Sequence, residues 1–228
     1  MKKQTLNRYT YLPILFDLLD QKRLTMLDPK KWDDKNDSYY LELYKKTLKL
    51  KSLLALCFSE SGETYEMWKV FSCGTSGVCI EFDKELLISY FNKDERIICG
   101  SIEYLLRRNM RNKDIQDFEK LPFMKRRAFK NEKEFRFILK ENDRKIPSVF
   151  VPIGIDCISR ITFNPWIPND VYESNKAIIR RIDGCKNISI RRTSVIDNEE
   201  WKTTGERIAN SYGDAHALKK VSNHNRTD

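Results

Sequence analysis

Histidine is nearly missing from this sequence. Its 228 residues contain only His216 and His224, both in the polar C-terminal stretch. No histidine base for a serine or cysteine nucleophile, and no histidine-based metal site, is therefore expected in the core. A Gly-x-Ser-x-Gly elbow is also absent. Glycine is sparse, at 8 residues, and the loop Ser72-Cys73-Gly74-Thr75-Ser76-Gly77 has neither GxGxxG nor GxxxxGK[ST] spacing, so phosphate cradles of those two kinds are unsupported. The six cysteines form no CxxC pair and stand in apolar surroundings, which predicts buried thiols in a reducing compartment and no disulfide framework or zinc site. No apolar run approaches membrane-spanning length, and Met1-Lys2-Lys3-Gln4-Thr5 lacks the apolar stretch of a signal peptide. The expectation is a cytoplasmic protein with no membrane partner.

What is abundant is positive charge and aromatic surface. Lysine and arginine total 42 against 33 acidic residues, giving a formal charge of +9, which favours nucleic acid, nucleotides or other polyanions without selecting among them. With 40% apolar residues, 12 Phe, 10 Tyr and 4 Trp, the chain can bury a sizeable core. A single domain over 1–197 is expected, followed by a polar, flexible tail over 198–228. Within the domain, residues 105–130 form a basic helical region in which Arg107, Arg108, Arg111, Lys113, Lys120, Lys125, Arg126, Arg127 and Lys130 are mixed with aromatics. Such a run is either a solvated helix face or an anion-binding surface.

Periodicity predicts strands at Leu6–Thr10, Arg23–Leu27, Ser52–Phe58, Val78–Phe82, Arg96–Tyr104, Glu132–Leu139, Ser148–Ile155, Ile158–Phe163 and Ile188–Val195. Helices are expected after Thr10, over Ser38–Lys46, from Tyr65, from Asp83 to Phe91 and over Asp170–Ile182. Trp32-Asp33-Asp34-Lys35-Asn36-Asp37 reads as an acidic loop capping the second of these. The fold class is α+β: one domain with a split, mostly antiparallel mixed sheet flanked by helices.

The strand beginning near Glu132 carries the most suggestive chemistry. Residues i, i+2 and i+4 of a strand project to one side, so Glu132, Glu134 and Arg136 share an edge. Three readings stand together. The first is a solvated face of an ordinary strand, and a variant of it makes the three residues a structural knot in a non-catalytic nucleic-acid-binding module. The second is a metal-dependent nuclease in which Asp33, Asp34 and Asp37 join Glu132 and Glu134 around a divalent ion. The third is a carboxylate stabilising the positive charge that develops on a ribose as nicotinamide leaves, with an arginine from another strand binding phosphate; Arg8 is the candidate.

Several segments together resemble a large bacterial family of unknown function often found among defence-associated genes: Arg8-Tyr9-Thr10, Leu24–Pro29 with Trp32–Asp37, Cys57-Phe58-Ser59-Glu60, Trp68, Gly77–Phe82 and Glu132–Arg136. The resemblance spans about residues 6 to 165. More distantly, the order of elements resembles the ADP-ribosyltransferase superfamily, whose arginine-type members carry an arginine on the first strand, a Ser-Thr-Ser strand and a later Glu-x-Glu. This resemblance implies NAD as substrate, bound by Arg8, Tyr9, Thr10 and Ser59, with Glu134 catalytic and Glu132 assisting attack by the acceptor. Arg136 and Trp68 would support the site. The Ser-Thr-Ser motif is replaced by Ser59-Glu60-Ser61 or Thr75-Ser76. The implied function is transfer of ADP-ribose to a nucleic acid or acidic protein recruited by residues 107–130, as in a toxin or phage-defence effector.

Overall fold

The computed structural model describes residues 3–72, 74–106 and 117–224. The chain divides into two compact units, Met1–Arg192 and Thr193–Asp228.

The first unit is built around β3 (Ser52–Ser59), the apolar run SLLALCFS, which is buried on both faces. Leu54, Leu56 and Phe58 enter the main core, while Leu53 enters a smaller one on the opposite face. That double burial explains a continuous apolar run in place of an alternating one. Along one edge β3 pairs antiparallel with β8 (Glu134–Glu141), from Ser52↔Glu141 to Ser59↔Glu134. β5 (Ile97–Ser101) continues the sheet beyond β8.

The other edge of β3 is shared by two strands. β1 (Thr5–Tyr11) meets it at Asn7↔Ser59, and β2 (Arg23–Leu27) meets it at Leu27↔Ala55. Helix α1 (Leu12–Gln21) joins these strands and buries Leu15, Leu18 and Leu19 in the main core. Outside β1 lie β4 (Gly77–Asp83), β10 (Ile158–Phe163) and β11 (Ser189–Arg192); outside β2 lies β9 (Ser148–Pro152). The β10–β11 pair is parallel and the other pairs of this nine-stranded sheet are antiparallel. The architecture is thus an α+β domain with a split, mostly antiparallel sheet. The fork between β1 and β2 leaves the middle of one β3 edge without a strand partner among the described residues.

Helices α4 (Lys84–Phe91) and α5 (Asn169–Arg181) pack on the main core through Leu87, Phe91, Tyr172 and Ile179. On the opposite face α2 (Lys35–Thr47) buries Leu41 and Tyr44 against Leu53 and Ile138. α2 starts at Lys35, three residues before the position expected from the sequence, because Asp34 is its N-cap: the carboxylate accepts from the backbone N–H of Asn36 and Asp37 at 3.0 and 3.4 Å. Asp37 therefore lies inside the helix. α3 (Tyr65–Phe71) carries the fully buried Trp68.

Two expectations around the acidic and basic motifs are corrected. The described part of the basic region is not α-helical. Two short 3-10 turns, Phe118–Phe123 and Arg127–Glu132, flank β7 (Met124–Arg126), which pairs parallel with β6 (Glu103–Leu105). Pro122, lacking an N–H, stands inside the first turn and denies it α-helical continuation. Residues 107–116 of that region lie outside the described residues. The Glu-x-Glu strand also begins later than expected, at Glu134: Glu132 ends a 3-10 turn and Lys133 adopts a left-handed conformation, φ 41°.

In the second unit, the segment expected as a polar tail contains α6 (Glu199–His224), started by Asn198, whose side-chain oxygen accepts from Trp201 N–H at 2.8 Å. None of the described helices is long and apolar enough to cross a membrane.

Candidate functional site

Alternation along β3 and β8 assigns the site its face. Cross-strand partners project to the same side, so Ser59 and Cys57 stand beside Glu134 and Arg136. Further along the same face Ile138, the cross-strand partner of Ala55, joins the smaller apolar core. One face of two strands is therefore apolar at one end and ionic at the other.

The ionic end is buried. Glu134 is 5% exposed, Asp37 3% and Arg136 0%, which excludes the solvated-face reading of this strand. Arg136 donates from Nε to Glu134 Oε1 at 2.8 Å, and from its two terminal nitrogens to both Asp37 oxygens at 3.0 and 2.6 Å. It also donates to the Pro122 carbonyl at 2.8 Å, with its guanidinium 4.9 Å from the Trp32 ring centre. Lys125 Nζ bonds Glu134 Oε2 at 3.0 Å and Glu132 Oε2 at 2.6 Å, and lies 3.6 Å from Asp37. Three carboxylates thus share two cations, leaving one negative charge in excess when all are ionised. Tyr104 fixes the start of β8 by accepting from Glu134 N–H at 2.8 Å.

The two glutamates are held in different electrostatic states. Burial pushes Glu134 upward, but the charges of Arg136 and Lys125 more than reverse this and leave it below the usual carboxylate value. For Glu132 burial outweighs the Lys125 bond, and its carboxyl lies above that value. Pairs pushed apart in this way supply one group that stays charged and one that exchanges a proton nearer neutrality.

Opposite the network, the fork between β1 and β2 opens a cleft of about 530 Å³. Arg8, Tyr9, Trp32, Asp34, Cys57, Ser59, Lys125, Glu132 and Glu134 all line it, with Leu27, Phe71 and Phe129 adding apolar surface. The structure therefore brings together eight of the residues singled out from sequence: Arg8, Tyr9, Asp33, Asp34, Asp37, Ser59, Glu132 and Glu134. Arg8 reaches across the unpartnered edge of β3 to the Cys57 carbonyl, at a long 3.3 Å. Its Nε is buried with no hydrogen-bond partner, and among the described residues no carboxylate lies within ion-pair distance of it. Burial pushes the guanidinium down from its ordinary value. An unsatisfied buried donor costs about 1–3 kcal/mol, so the unmet Nε of Arg8 calls for an explanation beyond folding.

Other expected residues serve differently. Ser59 donates its hydroxyl to the Glu132 carbonyl at 2.6 Å and accepts from Ser61 N–H at 3.0 Å, tying the loop after β3 to the turn before β8. Trp68 packs edge-on to Tyr9, ring centres 5.1 Å apart, and its indole N–H bonds Glu63 at 2.8 Å, so it steadies Tyr9 from behind. Thr10, expected with the binding residues, is 6% exposed and stands outside the cleft lining. Asp33, Asp34, Asp37, Glu132 and Glu134, the expected metal-ligand set, all line the cleft, but Asp37 and Glu134 are engaged by Arg136 and Lys125, and the described residues hold no group of three arranged for a metal ion. The partners of Arg136 and Glu134 in this network are not legible in the sequence: Lys125 is one charge among many in a basic run, and Asp37 reads as a capping residue or a metal ligand, not as a partner of Arg136.

Comparison with known proteins adds three findings. Among solved structures, the chain is similar to Thermus sp. 2.9 DarT in complex with NAD+, at 8% identity and TM-score 0.42, over 85% of this chain and 96% of that one. The same protein in complex with ADP-ribosylated ssDNA gives 7% identity and TM-score 0.44, over 85% and 95% of the two chains. TM-scores below 0.5 mark a loose likeness of chain path, so the geometry of the cleft carries the functional assignment. None of the curated proteins matches the chain. Residues 67–137, which span α3 to the first half of β8, match the family described as "Protein of unknown function (DUF2971)".

Proposed function

We propose that the cleft binds NAD and that the chain transfers its ADP-ribose to an acceptor, a nucleic acid or a protein. The observation that carries this reading is Arg8: a half-buried arginine whose shielded Nε has no hydrogen-bond partner and which has no ion-paired carboxylate among the described residues, lining one cleft with the Glu132–Glu134 pair. A ligand that suits both walls has an anionic part for Arg8 and a centre of positive charge for the carboxylates. NAD has a diphosphate and a ribose that turns cationic as nicotinamide departs. The cleft volume is within the range of about 300–1,000 Å³ usual for small-molecule sites.

In this reading the bond between ribose C1′ and the nicotinamide nitrogen breaks, and its electron pair leaves with the ring. Glu134, kept ionised by Arg136 and Lys125, stabilises the charge spread over C1′ and the ring oxygen. Glu132, with its raised affinity for a proton, takes the proton of the acceptor's attacking group as the new bond to C1′ forms. Arg126, Arg127 and Lys130 are exposed on the segment leading to Glu132, where they suit an anionic acceptor.

The double engagement of Glu134 by cations favours a second reading, in which the cleft holds a nucleotide without turning it over. One measurement separates the two. Consumption of labelled NAD is expected from the parent protein and is expected to fall about 100- to 1,000-fold in Glu134→Gln. Binding without consumption in both proteins would establish the non-catalytic reading; equal consumption in both would remove Glu134 from the chemistry.

A further inference from the structure

Arg136 and Lys125 neutralise the same carboxylates from different positions. Arg136 is fully buried, stands outside the cleft lining, and holds Glu134 through Oε1 and Asp37 through both oxygens. Lys125 holds what remains: its Nζ bridges Glu134 Oε2 at 3.0 Å and Glu132 Oε2 at 2.6 Å. Lys125 lines the cleft together with both glutamates. Arg136 alone is a close, charge-assisted partner that suffices to keep Glu134 ionised. Lys125 therefore adds a second positive charge to a carboxylate that already has one. Positive charge developing at a ribose in the cleft would compete with this ammonium for the same carboxylate, and the two like charges would repel. The ammonium has a place to withdraw to, because Asp37 Oδ2 lies 3.6 Å from Nζ, just beyond hydrogen-bond length.

We infer that Lys125 is a resident counter-ion that restrains turnover: it occupies the Glu132–Glu134 pair while the cleft is empty and withdraws toward Asp37 when the positive charge of the substrate takes its place at Glu134. The inference rests on the NAD reading above and names a control on that site. Compensation by Lys125 offsets the burial of two neighbouring carboxylates in the empty cleft. It also limits the reaction of NAD with water. In that reaction the water oxygen bonds to C1′, its proton passes to Glu132, and nicotinamide leaves with the electron pair of the broken bond.

Nicotinamide release from NAD with no acceptor added tests this directly. Lys125→Met removes the charge and keeps most of the side-chain volume. Its kcat is expected to rise at least about tenfold over the parent, with a smaller change in KM, because a unit positive charge is taken from beside the reacting centre. Lys125→Arg keeps the charge and is expected to keep the parental rate. Lys125→Gln keeps a donor to the pair without the charge and is expected to behave as Lys125→Met; it carries the comparison if Lys125→Met does not fold. A lysine that only braces the fold would lower the melting temperature of the neutral variants without raising kcat. An unchanged or reduced kcat in the folded neutral variants overturns the inference, and binding of NAD to the parent, measured by titration calorimetry, shows that the NAD reading survives it. A parent and variants that neither bind nor consume NAD remove that reading and this inference with it.

Discussion

Two arginines of the sheet, the half-buried Arg8 of β1 and the fully buried Arg136 of β8, are treated in opposite ways. Arg136 distributes its donors over two carboxylates and a carbonyl, all at 3.0 Å or less. Arg8 makes one long bond to a carbonyl and leaves Nε unmet. The difference follows from what each strand faces. β8 faces α2 and β7, the strand carrying Lys125, both of which bring compensating groups; β1 faces the fork, which brings none among the described residues. A guanidinium that folding has fully satisfied has no capacity left for a ligand, and one that folding leaves unsatisfied is available for little else. Arg136 is a building element, and in the function proposed above Arg8 is a binding element, although composition treats them alike.

The largest test of this contrast is removal of Arg136. Arg136→Met is expected to destabilise the fold by about 3–5 kcal/mol, because Asp37 and Glu134 are left buried with only Lys125 between them. Urea denaturation measures this, and a loss below about 1 kcal/mol would place Arg136 with Arg8. Arg8→Met is expected to behave in reverse. The unliganded protein should keep its stability or gain about 1 kcal/mol, since an unmet buried donor disappears, while NAD affinity falls at least about tenfold. A destabilisation as large as that of Arg136→Met would show Arg8 to be structural.

The smallest effect expected is in pH dependence. Glu134 has a depressed folded value, so its contribution to stability is fully present above the ordinary glutamate value of about 4.3 and is lost as pH falls through the folded value. Glu132 is raised, so its ionisation sets an acid limb of turnover above about pH 4.3, with activity increasing as pH rises. Glu132→Gln should remove that limb from the rate profile, and Glu134→Gln should flatten the acid side of the stability curve. A limb that persists in Glu132→Gln assigns the proton transfer elsewhere.

Much of the fold was legible because it depends on local pattern. The run Ser52–Ser59 is a central strand since each of its faces meets a core, and the period-two spacing of Glu134 and Arg136 correctly put them on one side. Glu132 was misplaced by extending that period one step too far, past Lys133, whose left-handed backbone no spacing rule anticipates. The fate of Lys125 was equally hidden. Charge density predicts an exposed side chain, but this one follows the turn at Pro122 and pairs with Asp37, Glu132 and Glu134, and that depends on contacts with α2 far away in sequence. Capping by the acidic loop Trp32–Asp37 was legible because capping is local, but which of its residues caps was not: the helix starts at Lys35, so Asp34 is the cap and Asp37 is left free to meet Arg136.

The fork on the edge of β3 imposes a unit of measure on whatever enters. Its length is the stretch of β3 between two single anchors, Leu27↔Ala55 and Asn7↔Ser59. Moving either anchor by one residue would turn every side chain of that strand to the opposite face, exchanging Arg8 for its neighbours. A related chain could lengthen or shorten this cleft only in steps of two residues, about 6.6 Å each. Ligand size in such a sheet would change in increments close to one sugar ring, with no continuous range between them.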